Sequence, residues 1–194
     1  MRFVSRLALY SLMLSVVASP GFAQKRFCPV PPPSPFKHSG QIVTSFDSAT
    51  HRMRTTLQHP RVLGKGGDAI YLSASFVHQD PRRPAAPVIE VAFISSSTAL
   101  KYRDHHDLVF MCDGRLRPLG GAARYQSRAE GAGVVLEATR VTLSYDDLTA
   151  IARSHKVSAR LGATEFELTN NHLEALRELA SLMGPSPSRW RADE

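Results

Sequence analysis

Apolar and polar residues alternate along most of the chain beyond residue 40, and helical spacing takes over near residue 144. In residues 69–78, Ile70, Leu72, Ala74 and Phe76 fall on one side and Tyr71, Ser73 and Ser75 on the other. That is the period of a half-buried strand. Residues 88–94 are apolar and partly β-branched, which predicts a central strand. Residues 41–46 and 52–58 flank the polar Asp47-Ser48-Ala49-Thr50 and read as a hairpin. Leu63 to Asp68, rich in glycine, reads as a turn cluster. Residues 108–112 and 115–117 flank Asp113-Gly114, a strong two-residue hairpin signal because glycine accepts positive φ at no cost. Pro118 ends the second arm, since it has no amide to donate. Gly120-Gly121 and Gly131 mark loops, and residues 134–143 form another strand.

The last third changes character. Ser144 is placed to cap a helix, with Asp146 and Asp147 in its first turn, where carboxylates suit the helix dipole. Val157, Ala159 and Leu161 alternate, Gly162 turns the chain, and Phe166 and Leu168 alternate back. Thr169 or Asn170 caps a second helix with an apolar stripe of Leu173, Leu176, Leu179, Ala180 and Met183. Gly184 and Pro185 stop it. Hairpins followed by helix, hairpin and helix predict an α+β fold. The expected form is an antiparallel β-sandwich or curled sheet, with two C-terminal helices flanking a short hairpin.

The first residues have the parts of a secretory signal: Arg2 and Arg6, an apolar run over 7–18, a break at Ser19-Pro20, and small residues before Gln24. The apolar run is shorter than the roughly 20 residues a membrane span needs, and no later segment is long and apolar enough. The expectation is a cleaved signal peptide at 1–23, a Pro-rich lead-in at 24–39, one β-rich domain at 40–184 and a loose tail at 185–194. Export places the mature chain in the periplasm or outside the cell. There the two cysteines, Cys28 and Cys112, are expected to form a disulfide; the alternative is two thiols, with Cys112 packed as a small hydrophobe.

Net charge is +7, and the excess sits toward the front: residues 24–134 hold 15 Lys and Arg against 8 Asp and Glu. This suits an acidic macromolecule or an envelope protein as partner, with Arg52, Arg54, Arg82, Arg83, Arg115 and Arg117 as the basic set. A solvated surface of scattered arginines is the competing account. No arginine-rich run interleaved with aromatics points to nucleic acid.

Asp104-His105-His106-Asp107 is the most suggestive cluster for chemistry, because imidazoles and carboxylates ligate metals and carry protons. Neighbours on a strand point to opposite faces, so His105 and His106 converge on one metal only within a loop. Gly64-Lys65-Gly66-Gly67 lacks the Ser or Thr that a phosphate loop needs after its lysine. Ser95-Ser96-Ser97-Thr98 lacks the glycines of a nucleophile elbow and reads as a turn. Glu165 and Glu167 share one strand face and read as its wet side. No motif calls for a cofactor.

Lys156-Val157, Arg160-Leu161-Gly162, Thr164-Glu165-Phe166-Glu167-Leu168 and Leu173-Glu174-Ala175-Leu176-Arg177 together resemble the ending of a group of uncharacterised exported bacterial proteins. Leu108-Val109-Phe110 with Asp113-Gly114 is similar to the middle of the same group. The resemblance spans roughly residues 41–183 and implies a bacterial envelope or secreted protein, with no activity attached. The layout also resembles invasion-associated locus B proteins, which end in hairpin then helix. The leading expectation is a non-enzymatic binding domain of the cell envelope. The alternatives are a metal-assisted hydrolase centred on His105 and His106, and a polyanion-binding protein using its basic face.

Overall fold

Among the described residues every strand pairing is antiparallel, and the pairings resolve into two sheets. The computed structural model describes residues 34–58, 60–65, 68–79, 88–117, 119 and 122–183. The strands are β1 (Gln41–Asp47), β2 (Arg52–Gln58), β3 (Arg61–Lys65), β4 (Asp68–His78), β5 (Val88–Ser97), β6 (Leu108–Cys112), β7 (Arg115–Arg117), β8 (Arg124–Gly131) and β9 (Val134–Ser144). After them come helix α1 (Tyr145–Arg153), strands β10 (Val157–Leu161) and β11 (Thr164–Leu168), and helix α2 (Asn170–Met183). The larger sheet runs β1-β2-β4-β5-β9-β8, with β3 also paired to β4 beyond the end of β2. The smaller sheet runs β11-β10-β6-β7.

One face of the larger sheet carries Leu57, Ile70, Leu72, Phe76, Ile89, Val91, Phe93, Val141 and Leu143, all buried. The smaller sheet and both helices cover it. Phe93 on β5 meets Phe110 on β6 at 5.9 Å and Phe166 on β11 at 5.0 Å, ring centre to ring centre. Helix α1 packs on β9 and β5, and α2 packs on β2, β11 and α1. Burying a phenylalanine such as Phe93 contributes about 1.5–3 kcal/mol. The fold is therefore the expected antiparallel two-layer arrangement with the helix–hairpin–helix ending. Among the described residues no helix is long and apolar enough to cross a membrane.

Local chemistry sets the ends of the elements. The Ser144 hydroxyl accepts from the Asp147 amide at 3.1 Å and caps α1 as expected. Asp113 and Gly114 both take positive φ (50° and 77°), the signature of a type I′ connection between β6 and β7. Ala132 and Gly133 do the same between β8 and β9.

Three readings of the sequence need correction. Leu63 to Asp68 is not turn throughout: Leu63, Gly64 and Lys65 belong to β3, whose pairing with β4 overrides the glycine's poor strand preference. Ser95 and Ser97 are not turn residues; both are buried in β5, facing the core side. Gly131, read as a loop, ends the strand β8 (Arg124–Gly131), which polar composition conceals because most of it is exposed at the sheet edge.

Candidate binding cleft

Between the β6–β7 hairpin and the carboxyl end of α1 lies an open cleft of about 560 Å³ lined by Cys112, Asp113, Arg115, Leu116, Arg117 and Ser154. Its walls follow from strand alternation. Leu108, Phe110 and Cys112 of β6 point into the core. In the ladder Arg115 stands opposite Cys112, Arg117 opposite Phe110, and Leu116 opposite Met111. Directly opposed residues share a side, so both arginines project on the cleft side. Leu116 and Met111 share the other side of the ladder, 64% and 36% exposed, and Leu116 also borders the cleft at its rim.

The turn is anchored. The Asp113 carboxylate accepts the amides of Lys156 at 2.9 Å and His155 at 3.1 Å, and the Asp113 amide donates to the Lys156 carbonyl at 2.8 Å. Ser154 is buried beside Cys112, its hydroxyl donating to the Ala150 carbonyl. Burial pushes the Cys112 thiol up from its ordinary pKa; the Ser154 hydroxyl and the Arg117 charge oppose that rise, and the Asp113 charge adds to it.

The cleft is cationic. His155 and Lys156 lie exposed on the adjoining connection from α1 to β10, after the exposed Arg153 in the last turn of α1. Among the described residues, neither Arg115 nor Arg117 has a carboxylate partner. The outer face of the larger sheet differs. There a second open cleft of about 540 Å³ is lined by Ile94, Leu136, Ala138, Gln126, Ser127, Arg128 and Arg140. Its charges are already answered. Glu90 pairs with Arg124 at 2.9 Å and with Arg140 at 3.5 Å, Arg140 also donates to Gln126 at 2.6 Å, and Arg128 pairs with Glu130.

The structure divides the basic set read from the sequence. Arg52 and Arg54 belong to the larger sheet, where Arg54 donates to the Ser75 hydroxyl at 3.1 Å and Arg52 stands opposite Asp47. Arg82 and Arg83 lie outside the described residues. Of the four arginines of that set among the described residues, Arg115 and Arg117 share a cleft.

His105 is exposed and His106 half-buried. The His106 ring lies 5.3 Å from that of Tyr125, with Nδ1 3.2 Å from the Arg103 carbonyl. His38 pairs with Glu178, His78 lies 3.1 Å from the Thr55 hydroxyl, and His172 caps α2. His59 lies outside the described residues. Among the described residues no three His, Cys, Asp or Glu side chains gather as a metal site. Glu165 and Glu167 are exposed between buried Phe166 and Leu168, as expected of a wet face. Among the described residues Cys112 has no disulfide partner, and Cys28 lies outside them.

Glu137 escaped the sequence reading. It is 1% exposed on the core side of β9 and accepts the Lys101 amide at 2.8 Å, the Tyr102 amide at 2.9 Å and the Tyr125 hydroxyl at 2.8 Å. Burial and the Glu137 carboxylate both push the Tyr125 phenol up, against the Ser127 hydroxyl and the Arg103 charge. The signal was available: Glu137 is the one charged residue among the alternating Val135, Thr139, Val141 and Leu143. It fixes the segment leading to His105 and His106.

No family model, curated protein or solved structure matches the chain.

Proposed function

We propose that the chain is an exported bacterial protein whose folded domain binds an acidic macromolecule of the cell envelope without catalysing a reaction, and that the cleft beneath the β6–β7 hairpin is the contact site. One observation carries the reading: Arg115 and Arg117 project side by side into a cleft and have no carboxylate partner among the described residues. An arginine pair already answered by glutamates, as on the outer face, gains little from a new anion. An unanswered pair gains a partner and releases counterions.

Export rests on the leader pattern of Arg2, Arg6, residues 7–18 and Ala23, and on the resemblance to exported bacterial proteins. In an oxidising compartment Cys28 and Cys112 form a disulfide. It ties the Pro-rich lead-in to the strand that carries the cleft.

Heparin serves as a polyanion probe. Binding is expected to weaken steeply as salt rises. Arg115→Glu with Arg117→Glu should abolish it, and Arg52→Glu with Arg54→Glu should leave most of it. Binding indifferent to salt, or lost equally in both double variants, refutes the reading.

A further inference from the structure

We infer that the free edge of β7 receives an extended acidic segment of a partner protein as an added antiparallel strand. The inference rests on the reading that the Arg115–Arg117 cleft binds an acidic macromolecule, and it names the class and conformation of that partner.

Positive φ at both Asp113 and Gly114 makes the connection type I′. In such a hairpin the pair flanking the turn exchanges both backbone hydrogen bonds, and pairs then alternate between bonded and non-bonded. Cys112 and Arg115 flank the turn, and Phe110 and Arg117 are two residues further on. Arg115 and Arg117 therefore turn their amides and carbonyls toward β6. Leu116, between them, turns its N–H and C=O away from β6. β7 ends the order of the smaller sheet, and among the described residues no strand pairs with that side. All three residues of β7 are exposed.

The side chains then specify what the added strand carries. Its central residue, opposite Leu116, exchanges two backbone hydrogen bonds with it and shares the side on which Leu116 and Met111 lie exposed. That residue is apolar. The residues before and after it stand opposite Arg115 and Arg117, on the cleft side, and are acidic. The recognised pattern is acid, apolar, acid in an extended chain. A flexible polyanion without alternating side chains satisfies the arginines but leaves Leu116 and its backbone groups in water. Strand addition satisfies all three.

The test uses a capped seven-residue peptide alternating glutamate and valine, its twin with the central valine N-methylated, and heparin, all against the full chain. The expected result is hydrogen-exchange protection of the Leu116 amide by the first peptide and binding about tenfold weaker for the N-methylated twin, the size of one lost backbone hydrogen bond. Leu116→Pro removes the outward amide at an edge position that tolerates proline; it should lose the peptide and keep heparin. The peptide arms stand even if that variant fails to fold. Equal binding of the two peptides, or an unprotected Leu116 amide, overturns strand addition. Heparin bound through Arg115 and Arg117 with no peptide binding overturns strand addition alone. Failure of both probes overturns the cleft reading with it.

Discussion

Thr169 and His172 close the start of the last helix reciprocally: the Thr169 amide donates to His172 Nδ1 at 3.0 Å, while the His172 amide donates to the Thr169 carbonyl at 2.9 Å. The arrangement follows the logic of a capping box, with histidine where glutamate or glutamine usually reaches back. It fixes the tautomer. Nδ1 accepts, so Nε2 carries the hydrogen and donates to the Arg61 carbonyl of β3 at 3.0 Å. One neutral ring thus ties the helix to the larger sheet.

Burial holds the His172 pKa below its ordinary value of 6.5, although the bond to the Arg61 carbonyl works the other way. Below that ordinary value the unfolded chain takes up a proton that the folded chain refuses. The contribution is complete above about pH 6.5 and declines as pH falls toward the lowered folded value. His172→Gln keeps the reach-back acceptor and removes the titration. Denaturation of both proteins between pH 7 and pH 5 should show the wild type losing more stability than the variant. Parallel losses would contradict the assignment. His172→Ala is expected to cost about 1–3 kcal/mol at pH 7, because it strands two polar groups.

Glu137 predicts a second effect. Glu137→Ala leaves the amides of Lys101 and Tyr102 and the Tyr125 hydroxyl without their acceptor. The expected cost is about 3 kcal/mol. Glu137→Gln retains one acceptor and should cost less. Amide exchange is the sharper readout: Lys101 and Tyr102 should both lose protection in Glu137→Ala and only one of them in Glu137→Gln, while Phe93 in the sheet centre keeps its own.

Gly162 predicts a third. Its φ is +55°, and a Cβ there would lie 2.3 Å from the His105 carbonyl oxygen. Its amide also donates to the Asp107 carbonyl at 2.9 Å. Gly162→Ala is expected to destabilise by about 2 kcal/mol from the backbone conformation and the clash. It should also move residues 104–107, so the ring contact between His106 and Tyr125 reports the change as a chemical-shift difference. A variant with an unchanged melting point and unchanged ring shifts would show that the segment gives way freely.

What the sequence made legible follows from where side chains face. The β4 alternation, the Asp113-Gly114 turn, the Ser144 cap and the α2 stripe each express a local rule, and each stands as expected. β8 was hidden because an edge strand needs few apolar residues; Tyr125 alone among its large side chains is turned partly inward. Glu137 was hidden because two of its three donors are 35 and 36 residues away and only the fold brings them together. The cleft was half visible. Arg115 and Arg117 stood among six arginines, and strand register was needed to show which two share a side and lack an answering charge.

Cys112 carries the last prediction. Thiol reagents attack the thiolate, and burial holds the Cys112 thiol above its ordinary pKa. In the reduced, folded protein Cys112 should resist iodoacetamide near pH 7.5 and react once denaturant opens the core. In protein recovered from the periplasm, intact mass should be two hydrogens below the reduced value, and neither cysteine should alkylate in denaturant until a reductant is added. Alkylation of both cysteines in denaturant without reductant would remove the Cys28–Cys112 bridge and leave Cys112 as a packed thiol. In that case the lead-in has no covalent tie to β6, and Cys112→Ala should cost only the packing of a small buried side chain, about 1 kcal/mol. With the bridge present, the same substitution should cost roughly 2–4 kcal/mol more, so chemical denaturation of this one variant separates the two arrangements.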